Sequence, residues 1–197
     1  GNSGTTMRFL IPQVACLSSP MTLDGDWTLR NRNLSSLTDS ITELGATVEK
    51  LGEYNKIGAP FSICGPLKSG ITTLDTSVSS QSLSALVLAC PRIPGPIEIQ
   101  TKGKSVSNRH AALTFEIAQL TGLNASWDAD ATSFKLHPWT PKCPEKVTIP
   151  SDLSLAAFGL VAATVHDTPF EILSKEIIKS NKTPLEDAKE TFAYILY

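Results

Sequence analysis

The sequence predicts a layered α/β or α+β domain, because predicted strands alternate with helices of about a dozen residues along most of the chain. Hydrophobic residues make up 41% of the 197 residues, enough for a substantial core, and this content excludes intrinsic disorder. The 17 Lys and Arg nearly balance the 19 Asp and Glu, which argues against nucleic acid or an anionic membrane as a partner. No apolar run approaches the roughly 20 residues of a membrane span, so we expect a soluble protein.

The first half of the chain is predicted to hold two helices and four strands. Apolar residues recur every three or four positions in 5–19 and in 33–45, which predicts two amphipathic helices. Thr5 or Thr6 is expected to cap the first helix, and Gly45 to end the second. Strands are predicted at 21–23, 47–51, 60–65 and 70–74. The expected buried positions are Met7, Leu10, Ile11, Val14, Ala15 and Leu17 on the first helix, and Leu34, Leu37, Ile41 and Leu44 on the second.

The second half continues the alternation of strands and helices. Helices are predicted at 79–90, 108–122 and 153–165, the first ended by Pro91 and the second by Gly122, with a further helix from residue 184. Strands are predicted at 97–100 and 146–150, with weaker ones at 126–128 and 133–136. On the helix at 79–90 we expect an inward face formed by Leu83, Leu86, Val87, Ala89 and Cys90.

The cysteines and histidines indicate neither a metal site nor a cofactor. Cys16, Cys64, Cys90 and Cys143 form no C-x-x-C pair, and the three histidines have no metal-ligand spacing. Cys16, Cys64 and Cys90 have no neighbouring His or Lys that would lower their pKa and make them nucleophilic. We therefore expect buried, reduced thiols in a cytoplasmic protein.

Three predicted helix starts carry groups that suit an anion. Residues 1–8 read Gly-Asn-Ser-Gly-Thr-Thr-Met-Arg, and free backbone N–H groups, the helix dipole and Arg8 would all favour negative charge there. Residues 77–81 and 104–110 also place hydroxyl groups at the starts of the helices predicted at 79–90 and 108–122. An ordinary polar cap remains the alternative at each start. Arg30 and Arg32 are either solvated or aimed at an anionic ligand. Together these features suggest one doubly anionic substrate or two anionic substrates.

These residues resemble the motifs of the 5-enolpyruvylshikimate-3-phosphate (EPSP) synthase family. Residues 1–8 resemble its G-N-[AS]-G-T-[AT]-x-R signature, and residues 78–86 its S-S-Q-x-x-S-A-L motif. Residues 23–32 resemble its L-x-G-D segment with the following arginine, although Asn33 replaces the family's proline. Ser107 matches the start of S-K-P-Y, but Asn108, Arg109 and His110 depart from it. Residues 148–163 resemble G-D-x-S-x-A-x-F-x-x-A-A, so the likeness extends over about 1–165.

The resemblance implies a fold of two lobes, each an inverse α/β barrel of repeated βαβαββ units. Residues 1–148 would form much of the first lobe without its N-terminal part, and 149–197 the hinge and the beginning of the second lobe. The family transfers an enolpyruvyl (carboxyvinyl) group from phosphoenolpyruvate to shikimate 3-phosphate in aromatic amino acid biosynthesis, so we expect a transferase that is monomeric when complete. The implied phosphoenolpyruvate residues are Gly4, Arg32 and Gln81, supported by Arg8, Asn2 and Thr5; those for shikimate 3-phosphate are Ser79, Ser80, Gln81 and Ser107.

Catalytic residues are not expected within the chain. The family's acid–base groups lie near its N-terminus and in its second lobe, so this chain is expected to be an incomplete, inactive portion that binds substrates weakly. One alternative is a non-catalytic substrate-binding remnant of the same fold, suggested by the changes at Asn33 and at 108–110. Another is the sister enzyme that acts on UDP-N-acetylglucosamine, but its Gly-Cys-Ala-Ile-Gly-like loop is absent.

Overall fold

The structure is a computed structural model that describes residues 1–52, 58–103 and 108–147, together with 158, 161, 162 and 165. The chain divides into two compact units, Gly1–Pro144 and Glu145–Tyr197. All the elements described below belong to the first unit. The helix predicted at 153–165 lies outside the described residues except at the four single positions, which are helical, and the helix predicted from 184 lies wholly outside them. The correspondence of these units to the first and second lobes remains a prediction.

The first unit alternates helices and strands in the order expected for layered α and β structure. The helices are α1 Gly4–Ala15, α2 Trp27–Arg30, α3 Ser35–Glu43, α4 Gln81–Ala89 and α5 Asn108–Leu120, and a 3₁₀ turn at Cys90–Arg92 follows α4. The strands are β1 Met21–Leu23, β2 Thr47–Lys50, β3 Phe61–Cys64, β4 Gly70–Asp75, β5 Ile97–Lys102 and β6 Ser133–Leu136. This order confirms the predicted α/β fold class.

Two three-stranded sheets carry these elements. In the first sheet β3 lies between β1 and β2 and is antiparallel to both, with Met21 opposite Ile63 and Thr47 opposite Cys64. In the second, β4 and β5 are parallel and β6 is antiparallel to β5. Parallel strands need a crossover connection, and α4 is part of the one between β4 and β5. The chain that leaves β4 at Asp75 therefore enters α4 before it reaches β5.

The core lies where the helices pack on one another and on the sheets. α1 packs against α3 and α4, and α4 packs against α5. On α3 every apolar residue of the predicted stripe is buried, as is the whole predicted inward face of α4. An aromatic cluster closes the α5 side: the Trp127 and Phe134 rings are stacked with centroids 5.2 Å apart, and Phe115 lies 5.4 Å from Phe134. This packing fixes the starts of α1 and α4, beside which most of the candidate binding residues in the described part of the chain lie.

The first helix is shorter than predicted and has a different cap. It ends at Ala15 instead of residue 19, and a tertiary hydrogen bond takes its last carbonyl: the Leu67 amide donates to the Ala15 oxygen over 3.0 Å. The cap is Ser3, whose Oγ accepts from the Thr6 amide over 3.2 Å, and not Thr5 or Thr6. Leu10, expected in the core, is 43% exposed.

Other departures concern short elements. The helix α2 was not predicted, since four residues are too few to show a period; Asp26 caps it by accepting from the Thr28 and Leu29 amides. The strand predicted at 126–128 is wrong: this segment has no regular secondary structure and pairs with no strand among the described residues, and Trp127 packs on Phe134. Residues 146 and 147 are not in a strand, and 148–150 lie outside the described residues.

All four cysteines are free thiols. Cys90 is buried as expected, and Cys16 and Cys64 are half-buried. Cys143 is exposed, so the expectation of burial is wrong there, because its segment of prolines and lysines carries no apolar partner into the core. Burial raises the pKa of the Cys16 thiol and raises the pKa of Cys90 to about 12, which keeps both protonated near neutral pH.

Candidate functional site

The start of α1 is built around a glycine that two arginines cover. Gly4 is buried, and a Cβ atom there would overlap the Arg32 guanidinium and lie 3.2 Å from Nη1 of Arg8. Glycine at this position therefore lets both guanidinium groups approach the first turn of the helix. The hydroxyls of Ser3 and Thr6 bond to each other over 2.8 Å and complete the cap.

Arg32 lies in the short connection between α2 and α3. Its amide donates to the Leu29 carbonyl over 3.1 Å, which closes the end of α2. On the other side, Asn33 Oδ1 accepts from the amide of Ser35 over 3.0 Å and from its hydroxyl over 2.7 Å. The asparagine that replaces the family's proline therefore forms an Asx turn onto the first residue of α3, and Arg32 lies between this turn and the end of α2.

The side chain of Gln81 joins the starts of α1 and α4. Its Oε1 accepts from Nη1 of Arg8 over 3.2 Å, and its Nε2 donates to the Thr5 hydroxyl over 3.1 Å. The backbone amide of Gln81 donates to Ser79 Oγ over 3.2 Å, which shapes the turn before α4. One carboxamide thus fixes Arg8 beside Gly4 and sets its distance from the hydroxyls that precede α4.

The electrostatics of this cluster favour an anion. Arg8 is half-buried, and its burial, together with the positive charge of Arg32, lowers its pKa. Neither guanidinium forms an ion pair with a carboxylate within residues 1–52, 58–103 and 108–147. Two cations near one helix start, without a counter-charge from the described protein, create a site that an anion would neutralise.

Arg30 has a different role from Arg32. It forms a bidentate ion pair with Asp24, with distances of 3.0 Å from Nε to Oδ1 and 2.7 Å from Nη2 to Oδ2. Of the two arginines that the sequence left open, Arg30 is therefore engaged by a carboxylate of its own segment. Arg32 is the one that faces Gly4.

The hydroxyl groups before α4 lie beside the cluster. Ser79 and Arg8 both line a cavity of about 200 Å³ between the starts of α1, α3 and α4. Ser80 is buried, and its hydroxyl has no hydrogen-bond partner in the described part of the chain. A buried hydroxyl without a partner is costly unless a ligand or water satisfies it, so Ser80 is suited to binding a polar group.

Two positioning residues in this region were not found from the sequence. The Ser36 hydroxyl accepts from the Asp75 amide over 2.8 Å and donates to the Asp75 carbonyl over 3.1 Å. The Asp75 carboxylate in turn accepts from the amide and hydroxyl of Ser77, which also lowers its pKa. The Asp-x-Ser spacing signals this turn locally, but nothing local signals the contact with Ser36.

The structure thus brings together most of the residues that the sequence singled out. Those gathered at the paired starts of α1 and α4 are Gly4, Thr5, Arg8, Arg32, Ser79, Ser80 and Gln81. Asn2 is exposed and makes no side-chain hydrogen bond to the described residues. Ser107 lies outside the described residues.

Two other kinds of site find no support in the part of the chain that the structure describes. No three metal-ligating side chains of His, Cys, Asp or Glu lie close enough together to hold an ion. No described helix has the length and apolar character that crossing a membrane requires.

A mixed α/β fold that presents paired guanidinium groups and hydroxyls at adjacent helix starts is an arrangement suited to an anion. The model of the EPSP synthase (3-phosphoshikimate 1-carboxyvinyltransferase) family matches residues 1–188. The chain belongs to this family.

Individual relatives agree with the family match. A 3-phosphoshikimate 1-carboxyvinyltransferase of Methanothrix thermoacetophila is 37% identical over 164 residues, which cover 83% of this chain and 38% of the relative. That of Idiomarina loihiensis is 30% identical and covers 100% of this chain and 47% of the relative. An EPSP synthase structure from Acinetobacter baumannii superposes with a TM-score of 0.65 at 25% identity, covering 84% of this chain and 35% of that one. The chain therefore spans less than half the length of these relatives.

Proposed function

We propose that the chain supplies part of the substrate site of a 3-phosphoshikimate 1-carboxyvinyltransferase. This enzyme transfers the enolpyruvyl group of phosphoenolpyruvate to shikimate 3-phosphate and releases phosphate. The observation that carries the proposal is the placement of Arg8 and Arg32 around Gly4, with Gln81 bound to Arg8. Both substrates are anions, and this arrangement concentrates positive charge where two helices begin.

In this proposal Gly4, Arg32 and Gln81 bind phosphoenolpyruvate. The exposed Arg32 guanidinium can present two parallel N–H groups to a carboxylate or a phosphate, and Gly4 leaves the room for that approach. Arg8 has a supporting role, because its hydrogen bond to Gln81 orients the carboxamide of that side chain. Thr5 supports the same carboxamide from the other side, whereas Asn2 is proposed to support the loop from its exposed position.

Ser79, Ser80 and Ser107 are proposed to bind shikimate 3-phosphate, with Gln81 shared between the two substrates. The buried Ser80 hydroxyl, which lacks a partner among the described residues, supports this role most directly. Hydroxyl groups before a helix start donate well to phosphate oxygens, and the helix dipole favours the same charge.

No residue of the chain is proposed to carry acid–base catalysis, so the 197-residue chain is expected to bind its substrates without turning them over. The complete protein is proposed to be a cytoplasmic monomer that binds neither nucleic acid nor membrane and needs no cofactor.

Calorimetry on the chain tests the binding role, with phosphoenolpyruvate and shikimate 3-phosphate as the titrants. Arg32→Ala should weaken phosphoenolpyruvate binding by about tenfold or more, since a charged hydrogen-bond pair is lost. Arg30→Ala is the matched control, because it lies on the same turn but pairs with Asp24, and it should change affinity by no more than about twofold.

Each other outcome has a distinct meaning. A wild-type chain that binds neither titrant contradicts the proposal, and binding of UDP-N-acetylglucosamine instead would identify the sister activity. Phosphate release from the two substrates by the chain alone would refute the absence of catalytic groups. Shikimate 3-phosphate binding without activity in the full-length protein would point to the non-catalytic remnant.

A further inference from the structure

We propose that Gly58 is a positioning residue for Arg32: it supports the backbone of the turn that carries the guanidinium, so that this group stays over Gly4. The inference rests on the proposed function, because it assigns to Gly58 a part in binding the anionic substrate. Gly58 lies outside every motif that the sequence singled out, and it precedes β3.

The contact between Gly58 and the turn is one of backbone on backbone. A Cβ atom built on Gly58 would overlap the carbonyl oxygen of Arg30, and it would lie 2.7 Å from the Arg30 carbonyl carbon and 3.0 Å from the Arg32 oxygen. The two separations from Arg30 are too short for a Cβ contact and that from Arg32 is tight, and main-chain atoms cannot move aside as a flexible side chain can. Any larger residue at this position must therefore displace the turn.

Arg32 consequently lies between two glycines. Gly58 contacts the backbone of the turn that carries Arg32. Gly4 contacts the Arg32 guanidinium, and this group occupies the space that a Cβ atom on Gly4 would need. A shift of the turn changes the position of the guanidinium relative to α1, because the two contacts are at opposite ends of the same residue.

Hydrogen bonds within the segment itself also hold the turn. Asp26 caps α2 before the turn, and Asn33 accepts from the amide of Ser35, the first residue of α3, after it. Between these two points, the Arg32 amide donates to Leu29 and the Asn31 side chain donates to the Trp27 carbonyl over 2.8 Å. These bonds are all local to the segment 26–35, whereas the Gly58 contact ties the turn to the chain that enters the first sheet.

Gly65 offers a matched control at the other end of β3. A Cβ there would overlap the carbonyl oxygen of Ala15 and lie 3.0 Å from the Leu17 oxygen, so the clash is again with backbone. It falls at the end of α1, away from Arg32. Gly58→Ala and Gly65→Ala should therefore both destabilise the fold, but only the first displaces the Arg32 turn.

The experiment measures phosphoenolpyruvate affinity by calorimetry for the wild-type chain and both variants, at a temperature where circular dichroism shows each to be folded. Gly58→Ala should weaken binding by about tenfold or more, the effect of a misplaced guanidinium. Gly65→Ala should change affinity by no more than about twofold. Unchanged affinity in Gly58→Ala, or an equal loss in both variants, overturns the inference.

A second measurement covers the case in which Gly58→Ala does not fold. In the wild-type chain, titration with phosphoenolpyruvate should shift the amide NMR resonances of Gly58 and Arg30 along with that of Gly4, and leave Gly65 unshifted. A Gly4 shift without any shift at Gly58 would show that Gly58 does not respond to Arg32 and would overturn the inference.

Failure of the proposed function would be recognised separately. It corresponds to a wild-type chain that binds neither phosphoenolpyruvate nor shikimate 3-phosphate. The positioning role is then decided by the Nε–Hε resonance of Arg32, which should move in Gly58→Ala and remain in place in Gly65→Ala. A resonance that is unchanged in Gly58→Ala would overturn the inference.

Discussion

Arg8 on α1 donates a hydrogen bond to the side-chain oxygen of Gln81 at the start of α4, over 3.2 Å. The amide nitrogen of the same side chain donates to Thr5, one turn before Arg8 on α1. The two helix starts are therefore joined by one carboxamide in the middle of a positively charged cluster. This side chain contributes to the packing of the helices and to the order of the candidate site at once.

Replacing this carboxamide should separate the two contributions. Gln81→Ala removes two hydrogen bonds, so we expect a loss of about 1–2 kcal/mol in the free energy of unfolding, measured in urea. Phosphoenolpyruvate binding should weaken by about tenfold or more, because the carboxamide proposed to contact this substrate is removed. Gln13→Ala is the control: Gln13 also joins α1 to α4, through a 3.1 Å bond to the Leu88 carbonyl. It removes one bond, so it should cost less stability than Gln81→Ala and leave affinity unchanged; equal binding losses would contradict the assignment.

The aromatic cluster on the α5 side should matter for stability. Phe115 is 1% exposed and touches both Trp127 and Phe134. Phe115→Ala should lower the free energy of unfolding by about 3–5 kcal/mol, since it leaves a cavity in the core. Leu120→Ala on the same helix, at a position 59% exposed, should change it by less than about 0.5 kcal/mol. Urea unfolding followed by tryptophan fluorescence measures both, and a small effect of Phe115→Ala would contradict the packing.

The ion pair between Asp24 and Arg30 makes a prediction for low pH. The hydrogen bond from Arg30 holds the pKa of Asp24 below its ordinary value of 3.8. A depressed folded pKa stabilises the fold above the unfolded pKa, and this contribution is lost as the pH falls through the folded pKa. NMR titration of the Asp24 carboxyl carbon should show the low pKa in the wild-type chain and a rise towards 3.8 in Arg30→Ala. The effect on stability should be small, because both side chains are partly exposed.

The cysteines should react with thiol reagents in the order of their exposure. With a pKa of about 12, Cys90 is almost entirely protonated at pH 8, and it is buried as well. Cys143 is exposed and should be modified first by Ellman's reagent. Mass spectrometry of peptides after brief labelling checks this order. Labelling of Cys90 before Cys143 in the folded chain would mean that the helix containing it opens readily.

The elements that the sequence predicted well are those whose signal is local. The stripe from Leu34 to Leu44 repeats at helical spacing, so α3 and its buried face were predictable, and Gly45, with a φ of +95°, ends the helix as expected. The end of α1 was not predictable, because the residue that takes its last carbonyl, Leu67, comes from a distant part of the chain.

The candidate site shows the same division. Gly4, Arg32 and Gln81 were singled out because their motifs are short and contiguous. The contacts that these residues make depend on how separate segments meet. Gln81 accepts from Arg8, and Arg32 lies against Gly4. Contacts of Ser36 with Asp75 and of Gly58 with Arg30 are likewise tertiary, and they leave no pattern in the sequence.

Ser36 holds both backbone groups of Asp75 at the point where the chain leaves β4. Ser36 follows Arg32 by one helical turn, and Asp75 precedes Ser79 by the same number of residues. The segments that carry Arg32 and Ser79, which are proposed to bind different substrates, are thus joined at one contact. A displacement of either segment would move the other, because the Ser36 hydroxyl sets the spacing between them.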